Sequence, residues 1–191
     1  MDYYDDLKNV QNYIKMAKDC NAAELISKLD PYLEEGSALL ELGMGPGNDL
    51  EILNKKYKAT GTDKYAHFIN IYKGNNPDAD VMVMDALTLD TQRTFDCIYS
   101  NKVLMHLTKE ELDKSIKKQW SLLNENGILF HSFWKGDEGS NEGGMFNQYY
   151  LENELAKMFC KGFELVLIES YKEFEEDDSI LIIVRKVSMT S

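Results

Sequence analysis

The segment Glu41-Leu42-Gly43-Met44-Gly45-Pro46-Gly47-Asn48-Asp49-Leu50 concentrates the chemistry of this chain. It follows an apolar run and precedes a helical pattern, so the chain turns between strand and helix at its glycines. Side chains would block a ligand at such a turn, whereas bare amides at a helix N-terminus point outward and receive it. The dinucleotide pattern G-x-G-x-x-G is not met from Gly43, because Asn48 stands at the third position. The alternative reading of the glycines alone is a tight turn with no ligand. Carboxylates recur around them. Asp63 lies 20 residues beyond Gly43 at the end of a second apolar run, where a carboxylate accepts hydrogen bonds from both hydroxyls of a ribose; otherwise it is a turn aspartate before a helix. Asp85 follows Val81-Met82-Val83-Met84 and either meets a polar partner or caps a helix. Glu41 ends a strand expected to be buried, where an unpaired carboxylate is costly.

The elements that must position these residues read as short apolar runs alternating with amphipathic stretches, the pattern of parallel strands joined by crossover helices. Strands are expected at residues 38–42, 57–62, 81–84, 95–99, 127–133, 163–168 and 180–184. Ahead of them, Tyr4, Leu7, Val10, Tyr13, Ile14 and Ala17 recur at helical spacing, and a second helix carrying Ala22, Ala23, Leu25, Ile26 and Leu29 is stopped by Asp30-Pro31. A further helix is predicted over 109–123, opened by a capping box of Thr108 and Glu111 and burying Leu112, Ile116, Trp120 and Leu123. Gly136, Gly139, Gly143 and Gly144 stand among charges after the fifth strand and predict an irregular, mobile loop. With its aromatic flank, 134–150 is either a lid over the ligand end of the sheet or a surface loop without a role. The expected architecture is α/β: a mostly parallel seven-stranded Rossmann-like sheet with helices on both faces. It forms one domain over 1–191, with 1–35 as cap helices.

Composition excludes several function classes. A chain of 191 residues, 43% hydrophobic, can bury one core. No apolar run approaches the roughly 18 residues of a membrane span, and Met-Asp-Tyr-Tyr-Asp-Asp lacks the parts of a secretory signal, so the expected compartment is the cytoplasm. Cys20, Cys97 and Cys160 are odd in number and far apart; they are expected to be reduced, mostly buried, and to hold no metal. The net charge of −12, with no basic patch, repels polyanions and argues against a nucleic-acid partner. A small molecule is the expected partner of a monomer or homodimer.

Glu41-x-Gly43-x-Gly45-Pro46-Gly47 resembles the first motif of class I S-adenosylmethionine-dependent methyltransferases. Thr60-Gly61-Thr62-Asp63 is similar to their second motif and Met84-Asp85-Ala86 to the third. Phe95-Asp96-Cys97-Ile98-Tyr99-Ser100-Asn101, followed by Val103-Leu104-x-His106-Leu107, is similar to the fourth, and Asn126-Gly127-Ile128-Leu129 sits where the family has its glycine before the fifth strand. The motifs run in family order over about residues 36–133.

The resemblance implies S-adenosylmethionine as cofactor, S-adenosylhomocysteine as product and methyl transfer to a small-molecule acceptor. It implies that Gly43, Gly45 and Gly47 present backbone to the cofactor, that Asp63 takes the ribose with Lys64 beside it, and that Asp85 takes the adenine amino group while the Ala86 backbone meets the ring. Glu41 would face the methionine ammonium, directly or through water, and the backbone of Ser100 and Asn101 would line the path to the reactive methyl. The branch methylating nucleobase amino groups carries Asn/Asp-Pro-Pro-aromatic where this chain has Ser100-Asn101-Lys102-Val103, and is disfavoured. Residues 131–138, 143–146 and 162–166 resemble small bacterial members, loosely including tellurite-resistance methyltransferases.

A sulfonium cofactor brings its own electrophile, so no dedicated catalytic residue is required. Where the acceptor must lose a proton, His106 and His131 are the candidate bases, since both follow strand ends on the ligand side; each reads more simply as a structural histidine. His67 reads as surface and Trp120 as core. Tyr3, Tyr4 and Tyr13 either cover the cofactor or pack in the core. Two other functions fit in part: a non-catalytic S-adenosylmethionine-binding domain, and an NAD-dependent oxidoreductase, which shares the glycine turn and Asp63 but gives no reason for Asp85.

Overall fold

A computed structural model describes residues 3–18, 20–142 and 145–188. Its main strands are β1 (Ala38–Leu42), β2 (Lys58–Asp63), β3 (Val81–Val83), β4 (Phe95–Asn101) and β5 (Leu123–Trp134), followed after a small hairpin, β6 (Ser140–Glu142) and β7 (Met145–Asn147), by β8 (Phe163–Tyr171) and β9 (Ser179–Lys186). Seven of them form one sheet in the order β3-β2-β1-β4-β5-β9-β8. The first five pair in parallel, and β9 lies antiparallel to both β5 and β8. The helices are α1 (Leu7–Met16), α2 (Ala23–Ser27), α3 (Asn48–Leu53), α4 (Ala66–Asn75), α5 (Lys109–Leu122) and α6 (Glu152–Met158).

Side chains alternate across a strand, and β1 shows what this does to the core. Leu40 and Leu42 enter a cluster with Leu112 and Ile116 of α5, whereas Leu39 enters the opposite cluster with Leu50 and Leu53 of α3 and Ile69 of α4. Both faces of the sheet are therefore covered, which is why these strands read as continuous apolar runs. Each fully buried leucine contributes roughly 1.5–3 kcal/mol.

Several boundaries move. The capping box of α5 forms: the Glu111 amide donates to Thr108 Oγ1 at 3.3 Å and the Thr108 amide to Glu111 Oε2 at 2.9 Å. The helix ends at Leu122, because Leu123 is already extended (φ −78°, ψ 137°) and opens β5 opposite Phe95. The N-terminal helices are shorter than expected, at 10 and 5 residues.

The expected irregular loop after the fifth strand instead holds the β6–β7 hairpin, with Ser140 opposite Asn147 and Asn141 opposite Phe146. Gly143 and Gly144 lie outside the described residues. Gly139 serves close packing, since a Cβ there would stand 2.6 Å from the Asn147 carbonyl oxygen. The cysteines are free thiols, but only Cys97 is buried; Cys20 and Cys160 sit exposed in connections next to helices. Among the described residues, no helix is long and apolar enough to cross a membrane, and no group of His, Cys, Asp and Glu is placed to hold a metal.

Candidate functional site

The carboxyl ends of β1, β2 and β4 open into a cavity of about 480 Å³, a size suited to a small ligand. The turn after β1 supplies its floor. Gly45 adopts a left-handed φ of +50°, its amide donates to Asp63 Oδ2 at 3.0 Å, and a Cβ added to it would meet only the Tyr13 ring at 3.6 Å. Ligand can thus approach bare backbone there. Gly47 does different work: a Cβ would lie 2.3 Å from the Tyr72 ring, so this glycine lets α3 and α4 pack and is not part of the cavity wall.

Of the residues assigned from sequence, Gly43, Gly45, Asp63, Lys64, Asp85, Ala86, Asn101 and His106 line the cavity, while Glu41, Gly47, Ser100 and His131 do not. Glu41 is 3% exposed, and its Oε2 has no hydrogen-bond partner. Burial, then the Asp49 and Asp63 carboxylates, push it well above the usual carboxylate range. Asp49 is satisfied, accepting from the Ala22 amide (2.9 Å), the Tyr99 hydroxyl (2.8 Å) and Asn101 Nδ2 (3.2 Å). Burial also raises Asp63, opposed by the Tyr65 and Gly45 amides and by Lys64. Three acids thus converge behind the glycine turn, with one oxygen left wanting a donor. That arrangement fits the ammonium of a bound methionine group.

Asp85 Oδ1 accepts from the Leu87 amide at 2.7 Å, a local turn with no helix following, so the helix-cap alternative does not hold. His131 is buried: its Nε2 is 2.8 Å from Gln119 Oε1 and its Nδ1 is 2.8 Å from Ser100 Oγ. Burial lowers its pKa to about 3, and both ring nitrogens are engaged away from the cavity, so the structure gives it no place as an acceptor base. His106 differs. Its Nδ1 lies 2.9 Å from the Phe146 carbonyl oxygen, which requires Nδ1 to carry the proton and leaves Nε2 with a lone pair. The ring is solvent-accessible through the cavity, yet the surrounding protein lowers its pKa, with Lys64 adding to this and the Phe146 carbonyl opposing it.

An aromatic roof closes one side. The Tyr4 ring stands edge-on to Tyr13, Tyr65 and Phe68, each at 5.4 Å between centroids. Tyr65 and Phe68 were missed in the sequence, although an aromatic pair three apart directly after Asp63 could have revealed them. At the other end stand Val103, Leu107, Met145 and Phe146, the last two from the hairpin. Lys102, also missed, has a left-handed φ of +55°, donates to Ser179 Oγ at 2.8 Å and lies 4.0 Å from the Trp134 ring centre. Burial lowers its pKa to about 8.

The strand order and a glycine turn facing an acid after β2 define a Rossmann-like nucleoside-binding site. A family described as a methyltransferase domain matches residues 13–165, and the chain belongs to it; its sheet has the Rossmann-like fold of class I methyltransferases. A phosphoethanolamine N-methyltransferase of Plasmodium falciparum is 24% identical over 169 residues, 85% of this chain and 60% of that protein, so the chain spans less than two thirds of this relative's length. The N-methyltransferase NodS of Bradyrhizobium japonicum, solved with S-adenosylhomocysteine, superposes with a TM-score of 0.76 at 16% identity, covering 98% of this chain and 100% of that one. TehB of Haemophilus influenzae gives 0.71 at 19% identity, covering 93% and 67%. The last two likenesses are of fold.

Proposed function

We propose that this protein methylates a small-molecule acceptor, with an amine as the favoured class, held at the His106 end of the cavity. The observation that carries this reading is the buried Glu41 carboxylate beside the glycine turn, whose Oε2 has no hydrogen-bond partner. A nicotinamide dinucleotide brings the same adenine to Asp85 but has no primary ammonium to donate to Glu41. When bound, S-adenosylmethionine supplies the electrophilic methyl of a sulfonium. Asp63 then accepts from the ribose hydroxyls, Asp85 from the adenine amino group, and Tyr4 and Tyr13 roof the nucleoside. Asn101 borders the methyl path. His106 Nε2 takes the acceptor's proton while Met145 and Phe146 of the hairpin exclude water, so 134–150 acts as a lid. Cavity positions past Gly43 and Ala86 favour turnover over a purely binding role, since Val103, His106 and Leu107 line space for a second ligand. The names of the Plasmodium and Bradyrhizobium relatives support a nitrogen acceptor, and the excess of 33 acidic over 21 basic residues supports a small acceptor over a polyanion.

Calorimetry against S-adenosylhomocysteine and NAD, followed by incubation with methyl-labelled cofactor and cell extract, tests this. Binding of the first ligand alone, and label in the small-molecule fraction, are expected. NAD binding, or label confined to protein or nucleic acid, would overturn it.

A further inference from the structure

Four fully buried side chains form an unbroken chain of hydrogen bonds across one face of the sheet, from Ser100 at the end of β4 to the loop after β3. Its direction is forced by chemistry. The Ala86 carbonyl can only accept, so the Ser115 hydroxyl donates to it at 2.6 Å. Ser115 Oγ in turn accepts from Gln119 Nε2 at 3.0 Å. The Gln119 carbonyl oxygen then faces His131 Nε2, which must carry the proton, and Nδ1 accepts from Ser100.

The far end of this chain meets the site at one peptide unit. The carbonyl of the Ala86–Leu87 peptide is held by Ser115, and its N–H donates to Asp85 Oδ1 at 2.7 Å. Rotating that peptide would break both bonds and release the Asp85 carboxylate from the orientation they set. Ser115 and Gln119 stand one turn apart on α5, a helix fixed by its capping box and by Leu112 and Ile116 in the core, so the anchor is rigid. Neither side chain lines the cavity.

We propose that Ser115, backed by Gln119 and His131, is a positioning residue that sets the orientation of Asp85 and so the selectivity for an amino group on the purine. This rests on the reading of Asp85 as the adenine acceptor. A network that only satisfied buried polar groups would support stability and leave purine selectivity alone.

The test compares three ligands by calorimetry: S-adenosylhomocysteine, its deaminated analogue S-inosylhomocysteine, and adenosine. Wild-type protein should prefer the amino form by about 10–100-fold, the range expected for one hydrogen bond to a carboxylate. Ser115→Ala should cut that preference about tenfold, while the ratio of S-adenosylhomocysteine to adenosine affinity, which reports the homocysteine end, stays within about twofold. Both readouts are ratios within one protein, so a smaller folded fraction does not mimic the effect. Should Ser115→Ala not yield folded protein, Ser115→Cys, whose thiol donates weakly, serves in its place and should act in the same direction. An undiminished preference in the folded variant overturns the proposal. A wild-type protein with no preference overturns the Asp85 reading, and the proposal with it.

Discussion

Replacing Glu41 with glutamine should make the cofactor-free protein more stable and its grip on cofactor weaker. The carboxylate is 3% exposed, one oxygen lacks a donor, and two further acids stand near. Leaving a buried polar group unsatisfied costs about 1–3 kcal/mol. At this chain length each kcal/mol moves the melting temperature by roughly 2–4 °C. The amide removes the charge, so a rise of about 2 °C or more is expected at neutral pH. Burial raises Glu41 in the folded chain, so stability linked to its protonated form is complete below the ordinary carboxylate range and is lost as pH climbs through the raised value. The gap between Glu41→Gln and wild type should therefore be small in acid and widen upward from about pH 4.5. Cofactor binding should move the other way, losing a bond to a charged group of about 1.5–3 kcal/mol, or roughly 10–100-fold in affinity. Thermal melts across pH and calorimetry with S-adenosylhomocysteine measure both. A variant less stable than wild type at neutral pH, with unchanged affinity, would refute the argument that this acid awaits a cation.

Asp63→Asn should weaken S-adenosylhomocysteine about tenfold or more and flatten the wild-type preference for ribose over 2′-deoxyribose; calorimetry with both ligands checks this, and an undiminished preference excludes the ribose role. His106→Gln should lower kcat by about 10²–10⁴. Since desolvation by the surrounding protein holds His106 below the ordinary imidazole value, wild-type activity should fall only at pH below about 6.5, and that acid limb should be absent from the variant's pH–rate profile. Hydrogen exchange with S-adenosylhomocysteine and acceptor together should slow in residues 136–142 and 145–147, whereas protection confined to 43–50 and 63 would detach the hairpin from catalysis.

The central strands were legible because both their sides are buried, and the residues that line the cavity were legible in part because they follow strand ends in fixed order. Distances between elements were not. Gly136 and Gly139 suggested looseness, yet added Cβ atoms would press on Tyr149 and the Asn147 backbone. Gly47 suggested ligand contact and instead clears space for Tyr72. His106 and His131 looked alike as histidines after strands; what separates them is Gln119, brought beside one of them by α5, and Phe146, brought beside the other by the hairpin. Ser115 carries no signal, because its role depends on a carbonyl 29 residues away.

The outer strands of the sheet bear on self-association. A rim of unpaired amides and carbonyls invites another chain to add a strand, and growth of that kind ends in fibres. On one side β3 offers three residues, too few to template a stacking segment. On the other, β8 is nine residues long, but its register slips between Leu165 and Leu167, which spoils the even spacing an incoming strand would need. Glu164 lies exposed just before that slip, and Glu169 beyond it is held by Lys28 at 2.6 Å. The sheet can therefore leave its ligand end open without offering its flanks to runaway polymerisation.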